Sequence, residues 1–132
     1  MACLAAVQHL IKDATIDTTD TLAGSWVPVS EFEYHAFALY EVSAAGGADI
    51  DYYIDIFVGT EGSTPPTAAT TEYVRVQIVA GVTTESTWLL YQPDLETKSV
   101  FASGACTWIR AFVEGGAANS ADTVVSVRLL SR

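Results

Sequence analysis

Apolar and polar residues alternate with a period of two along most of this chain. In the stretch DIDYYIDIFVG, residues 49–59, the even-numbered residues from Ile50 to Val58 are apolar or aromatic, which places them on one face of an extended strand. Comparable runs rich in β-branched and aromatic residues predict strands at 34–42, 49–58, 72–79, 86–92, 105–114 and 122–130. Weaker candidate strands lie at 8–12, 25–29 and 98–102.

Turn-forming residues separate these runs, and no long helical period appears. Segment 2–11 fits a helix or a strand equally well. Short strands without intervening helices form a sandwich or a closed barrel, and eight strands in two sheets is the jelly-roll count. We therefore predict an all-β, jelly-roll-like antiparallel β-sandwich with about eight strands and essentially no helix. Its predicted core is Leu39, Ile50, Ile54, Ile56, Val74, Val76, Ile78, Leu89, Ile109, Val125, Val127 and Leu129.

The chain divides by pattern into two parts. Residues 1–20 are predicted to form an N-terminal arm or a partner-contacting strand, and residues 21–132 the β-sandwich domain. On this division, deleting residues 1–15 would leave the domain folded and abolish binding to a partner. Loop 59–71, rich in Thr, Ala, Gly and Pro, is predicted to be mobile or to reach a partner.

Composition narrows the class of protein. The 132 residues carry a formal net charge of -10 with six Lys plus Arg, which disfavours nucleic-acid binding. No apolar run is long enough for a membrane helix, and the N-terminus lacks the pattern of a secretory signal, so we expect a chain made in the cytoplasm. Cys3 and Cys106 are distant in sequence and stand in no metal or redox motif; we favour reduced thiols over a disulfide.

Three carboxylates, those of Asp49, Asp51 and Asp55, share the second face of the 49–58 strand. Same-face neighbours lie about 7 Å apart, a spacing that could suit an inverting acid/base pair but is too wide for one calcium ion without ligands from other strands. Of these two alternatives, calcium is favoured over catalysis. A solvated outer face explains the same residues with fewer assumptions and is the favoured interpretation. Tyr53 and Phe57 lie on that face as well, and aromatic residues among carboxylates are typical of a contact surface.

A second two-sided strand is ACTWIRAFVE, residues 105–114. One of its faces fits the core, whereas the other carries Trp108, Arg110 and Phe112. A loop of the same chain or another subunit would cover this second face, and Trp and Arg are enriched in tight interfaces. The candidate interface residues are Trp108, Arg110, Phe112, Tyr53 and Phe57.

Catalytic chemistry has little support in the sequence. His9 and His35 are the two histidines, neither in a catalytic motif, and no nucleophile elbow or phosphate loop is present. We predict no enzyme activity, no catalytic residues, no cofactor and no metal. A carbohydrate-binding module is the alternative, because Trp26, Trp88 and Trp108 would stack on sugar rings if they formed one platform.

The ordered features resemble a known class of proteins. Ser25-Trp26-Val27, the Trp-Ile-Arg-Ala stretch at 108–111, the Gly-Gly-Ala loop and the last strand DTVVSVRLL are similar in pattern to small jelly-roll proteins of tailed-bacteriophage virions. The resemblance implies a capsid decoration or cement protein, or a minor head or tail component. It further implies a homo-oligomer on the capsid surface, a trimer in preference to a dimer. Its partner would be the major capsid protein or another virion protein.

Overall fold

The computed structural model describes residues 6–29, 35–44, 46–59, 66, 73–92 and 106–131. Within these residues the chain forms nine β-strands and no helix. The strands are β1 (Ala6–Ile16), β2 (Thr21–Ala23), β3 (Val27–Pro28), β4 (His35–Val42), β5 (Ile50–Gly59), β6 (Val74–Val82), β7 (Leu89–Tyr91), β8 (Cys106–Gly115) and β9 (Thr123–Ser131).

The strands form two antiparallel sheets that pack as a sandwich. The first sheet has the order β1-β9-β4-β7, and the second has the order β2-β8-β5-β6, with β3 also paired to β8. Because β2 and β3 pair with successive parts of β8, they act as one interrupted strand. Counted in this way, the described residues form eight strands in two four-stranded sheets, which confirms the predicted jelly-roll-like sandwich.

The core lies between the sheets and follows the period-two pattern. Along β5, Ile50, Tyr52, Ile54 and Ile56 are all buried, as the alternation predicts. Of the predicted core, Val76, Ile78 and Leu89 are partly buried against the central cluster. The prediction for Val74 was wrong, since this residue is 48% exposed at the start of the edge strand β6, where only β5 pairs with it. The remaining predicted core residues are buried: Leu39, Ile50, Ile54, Ile56, Ile109, Val125, Val127 and Leu129.

The N-terminal segment is not separate from the sandwich. From Ala6 onward it forms β1, which pairs with β9 from Ala6 to Ile16 and places Leu10, Ile11 and Ile16 in the core. The sandwich therefore begins within the predicted 1–20 arm, not at residue 21. Two register irregularities interrupt β1, one on each side of Ile11, so its residues do not keep a simple alternation.

Gly24 holds the connection after β2 close to β1. Its N–H donates to the carbonyl oxygen of Ala111 at 2.8 Å, and a Cβ at this position would overlap the carbonyl oxygen of Leu10. We expect Gly24→Ala to lower the free energy of unfolding by about 1–3 kcal/mol, as overpacking does. Urea unfolding measures the loss, and Ser25→Ala at the adjacent exposed position should change stability by less than about 0.5 kcal/mol. Equal values for the two variants would contradict this account.

Candidate interaction surface

The outer face of the second sheet carries a row of charges across three strands. Asp55 on β5 lies opposite Arg75 on β6 and Arg110 on β8. Arg75 Nε donates to Asp55 Oδ1 at 2.7 Å, and Arg110 Nε donates to Asp55 Oδ2 at 2.8 Å. Arg75 Nη2 also donates to Asp55 Oδ2 at 3.1 Å, so Arg75 binds both carboxylate oxygens and Oδ2 accepts from both arginines. The Asp55 side chain is fully buried.

Aromatic rings enclose this row on both sides. Tyr53 lies opposite Phe112, with ring centroids 6.0 Å apart, and Phe57 lies opposite Trp108. The Arg75 guanidinium carbon is 3.6 Å from the Phe112 centroid. We call the whole set the aromatic–arginine layer: Trp26, Tyr53, Asp55, Phe57, Tyr73, Arg75, Trp108, Arg110 and Phe112.

Trp26, just before β3, closes the layer on the β8 side. Its ring meets Phe57 and Tyr73 edge-on at centroid distances of 6.3 and 6.1 Å, and the Arg110 guanidinium carbon lies 4.6 Å from its centroid. Such cation–π contacts stabilise a guanidinium that has left bulk water. The indole Nε1 atoms of Trp26 and Trp108 are buried, and neither has a hydrogen-bond partner in the described part of the chain. Buried polar groups of this kind call for an explanation, because most find a partner.

The structure brings all five candidate interface residues into this one layer. Tyr53, Phe57, Trp108 and Phe112 are half-buried and Arg110 is buried. Their contact with another subunit stays a prediction. Sequence reasoning left out Tyr73 and Arg75, although the alternation in EYVRVQIV puts both on the face opposite Val74 and Val76.

The solvated interpretation of the carboxylate face was wrong for Asp55. This side chain is buried because two cross-strand arginines hold it, a pairing that the sequence does not specify. Asp51 is half-buried and accepts the N–H of Gly81 at 2.7 Å, and Asp49 is half-buried in the turn beside Asn119. Among the described residues, no group of three or more His, Cys, Asp or Glu side chains could hold a metal ion.

The outer face of the first sheet is different in character. Trp88 is 40% exposed and Leu90 66% exposed. Trp88 packs on Tyr40 at a centroid distance of 5.1 Å, and the Arg128 guanidinium carbon lies 4.1 Å from the Trp88 centroid. Because Trp88 lies on this sheet whereas Trp26 and Trp108 lie on the other, the three tryptophans do not form one sugar-stacking platform.

A carboxyl group in the core was not anticipated from the sequence. Glu41 continues the inward-facing series of Phe37 and Leu39 on β4 and is 1% exposed. Tyr52, on the opposite sheet, donates its hydroxyl proton to Glu41 Oε1 at 2.8 Å. The sequence HAFALYEV does contain a signal for this burial, because Glu41 follows Phe37 and Leu39 at the same spacing of two residues.

Several predicted features can be located only in part. His9 is exposed on β1. His35 and Cys106 lie in β4 and β8, but their side chains are not among those described. Cys3, strand 98–102 and all of loop 59–71 except Gly59 and Pro66 fall outside the described residues. In the part of the chain that is described, no helix is long and apolar enough to cross a membrane.

No protein-family model matches this sequence, and no curated protein matches it. A chain in the structure of infectious bursal disease virus, Gx strain, is similar in fold, with a TM-score of 0.53 and 10% sequence identity over 96% of this chain. This chain spans 31% of the length of that one. At such low identity the likeness shows the fold alone, a β-sandwich that also occurs in a virus that is not a tailed bacteriophage.

Proposed function

We propose that this chain is a non-enzymatic structural protein of a virus particle, and within that class a capsid decoration or cement protein. In this role it forms a homo-oligomer on the capsid surface, a trimer in preference to a dimer. The oligomer binds the major capsid protein and so holds adjoining capsomers together. It would be made in the host cytoplasm. The observation that carries the proposal is the aromatic–arginine layer, displayed across the outer face of a jelly-roll sheet.

The composition of the layer favours protein contact over catalysis. Trp, Tyr, Phe and Arg are enriched in the central parts of protein interfaces, where a few such residues carry most of the binding free energy. The rings are half-buried already, so a partner can cover the rest without ordering flexible side chains. A neighbouring subunit would also supply acceptors for the two unpaired indole N–H groups.

Electrostatics support self-association through this face. The chain has a net charge of -10, so two copies repel one another at long range. The central row of the layer, however, contains two arginines and one aspartate, and is locally positive. Contact between this positive row and the acidic remainder of a second copy is therefore attractive at short range, and apolar burial has to outweigh only the long-range repulsion.

A matched pair of variants tests whether this surface is the interface. Tyr53→Glu places a carboxylate in the layer beside the charged row and should reduce the oligomer to a monomer, whereas Trp88→Glu makes the same charge change on the opposite sheet and should not. Mass photometry reports the assembly state, and circular dichroism establishes that both variants are folded.

For the wild type, raising NaCl from about 0.05 to about 0.5 M should strengthen association, because salt screens the repulsion.

Three outcomes would count against the proposal. A wild-type chain that is monomeric at every concentration and absent from purified particles of its source would remove the virion role. Equal effects of Tyr53→Glu and Trp88→Glu would place the interface elsewhere. Binding to a sugar on a glycan array, lost in Trp88→Ala, would favour the carbohydrate-binding alternative instead.

A further inference from the structure

The hydrogen bond between Glu41 and Tyr52 joins the two sheets through the core. Glu41 belongs to β4 of the first sheet and Tyr52 to β5 of the second, and the exposed fractions of the two residues are 1% and 0%. Glu41 Oε2 is buried and has no hydrogen-bond partner among the described residues. A carboxylate in this position would hold a negative charge in the core with a single neutral donor, which is unfavourable.

The charged groups near Glu41 add to this cost. Asp49, in the turn before β5, and Glu85, after β6, both disfavour a negative charge on the Glu41 carboxyl. The side chain that β5 contributes is the phenol of Tyr52, and the residue opposite Glu41 on β9 is the apolar Val125. Burial, the largest cause, raises the pKa of Glu41 from 4.5 to about 7, and the Tyr52 hydrogen bond lowers it in part.

We propose that the contact between Glu41 and Tyr52 is a pH-dependent latch between the two sheets. The sandwich is most stable when Glu41 is protonated, and the β4–β7 edge of the first sheet loosens when Glu41 ionises. The element placed to respond is the turn between β6 and β7. Two hydrogen bonds hold it to β4 and to the residue that follows β4: Ser86 N donates to the Glu41 carbonyl oxygen at 2.9 Å, and Ser43 N donates to Glu85 Oε1 at 2.6 Å. This inference does not depend on the proposed virion role.

The direction of the pH dependence follows from the raised pKa of Glu41. Between the unfolded value of 4.5 and the folded value of about 7, the folded chain binds a proton that the unfolded chain has released. The stabilising contribution is therefore complete below about pH 4.5 and is lost as the pH rises through about 7. The corresponding change in the unfolding equilibrium constant is on the order of 100-fold.

Two measurements on the intact chain test the latch. Carbon-13 NMR of the glutamate carboxyl groups should show one that titrates near pH 7 and is missing in Glu41→Gln. Urea unfolding at about pH 4.5 and about pH 8 should show the unfolding constant of the wild type, divided by that of Glu41→Gln, rising on the order of 100-fold with pH. Taking the ratio cancels the general effect of the other acidic groups.

Tyr52→Phe supplies a test that does not require the Glu41 variant to fold. Removing the hydroxyl takes away a donor to the carboxylate, so the Glu41 resonance should titrate at a still higher pH than in the wild type. Hydrogen exchange of the β6–β7 turn should become faster above pH 7 in the wild type after correction for the intrinsic rate. If no glutamate titrates above about pH 5.5, or the unfolding ratio is independent of pH, there is no latch.

Discussion

Replacing Asp55 by asparagine is expected to lower the free energy of unfolding by about 3–5 kcal/mol, although the two side chains have nearly the same shape. The wild-type carboxylate accepts two charge-assisted hydrogen bonds from Arg75 and one from Arg110. An amide offers one oxygen, so its NH₂ group faces a guanidinium donor. The buried Arg110 would then keep its charge without a neutralising partner, which is the costly case for a broken buried ion pair.

Arg75 and Arg110 differ in what they contribute to this loss. Arg75 has a side chain that is 34% exposed and can turn toward water, whereas the Arg110 side chain is 10% exposed. Hydrogen bonding to Asp55 raises the pKa of Arg75, so this group stays charged throughout the accessible pH range. Most of the expected loss therefore belongs to Arg110, and Arg75→Gln should cost less than Arg110→Gln.

The matched control is Asp51→Asn, two residues away on the same face of β5. The Asp51 carboxylate accepts only the Gly81 N–H in the described chain, and an amide oxygen can do the same. We expect a change within about 0.5 kcal/mol in urea unfolding at constant pH and protein concentration. The double variant Asp55→Leu with Arg110→Met should regain much of the stability lost in Asp55→Asn, because an apolar pair needs no charge compensation.

An Asp55→Asn protein within about 1 kcal/mol of the wild type would show that the charged row does not stabilise the fold. A double variant that is less stable than Asp55→Asn would instead show that the guanidinium of Arg110 contributes mainly through its aromatic contacts. In either case, ion pairing with Asp55 would not be the interaction by which the aromatic–arginine layer stabilises the fold.

Alternation in the sequence was sufficient to predict the central strands. Strand β5 places Ile50 and Ile54 inward and Tyr53 outward, because the side-chain period of a strand is fixed by its backbone geometry. Strand β8 follows the same rule, with Ile109 inward and Trp108 outward. The jelly-roll count followed from these runs, and the five candidate interface residues share one face for the same reason.

Pairing between distant strands could not be predicted in the same way. Whether Asp55 is solvated or buried depends on which residues lie opposite it, and Arg75 and Arg110 are 20 and 55 residues away in sequence. Glu41 presents the same difficulty, since its side-chain partner, Tyr52, belongs to the other sheet. Alternation predicts the face of a residue, but cross-strand register decides whether a charge on that face is neutralised.

Strand β1 shows a third limit of pattern reading. Leu10 and Ile11 are adjacent and both buried, which a regular strand does not allow. The register irregularities around Ile11 permit it, and Asp13, with a φ of 46°, donates its N–H to Ser126 Oγ at 2.9 Å. Because a bulge disrupts the period of two, alternation alone does not assign this segment to the sandwich.

Deletion of residues 1–15 is therefore expected to prevent folding, which reverses the expectation from the sequence alone. The deletion removes the strand that pairs with β9 and takes Leu10 and Ile11 out of the core. Each truncation of a large buried side chain costs about 2–5 kcal/mol, and domains of this kind have a total stability of about 5–15 kcal/mol. The loss of two such side chains and the pairing along β9 is comparable to the whole stability.

Circular dichroism and proton–nitrogen NMR spectra of the truncated chain measure this directly, and we expect the spectra of an unfolded protein. Point variants separate core packing from the loss of chain length: Ile11→Ala should cost about 2–5 kcal/mol, whereas Val7→Ala, at a residue that is 58% exposed, should cost less than about 1 kcal/mol. A truncated chain that is folded and cooperative would show that β1 is dispensable to the sandwich. If that folded chain also lost binding to virus particles, β1 would be a partner-contacting strand after all.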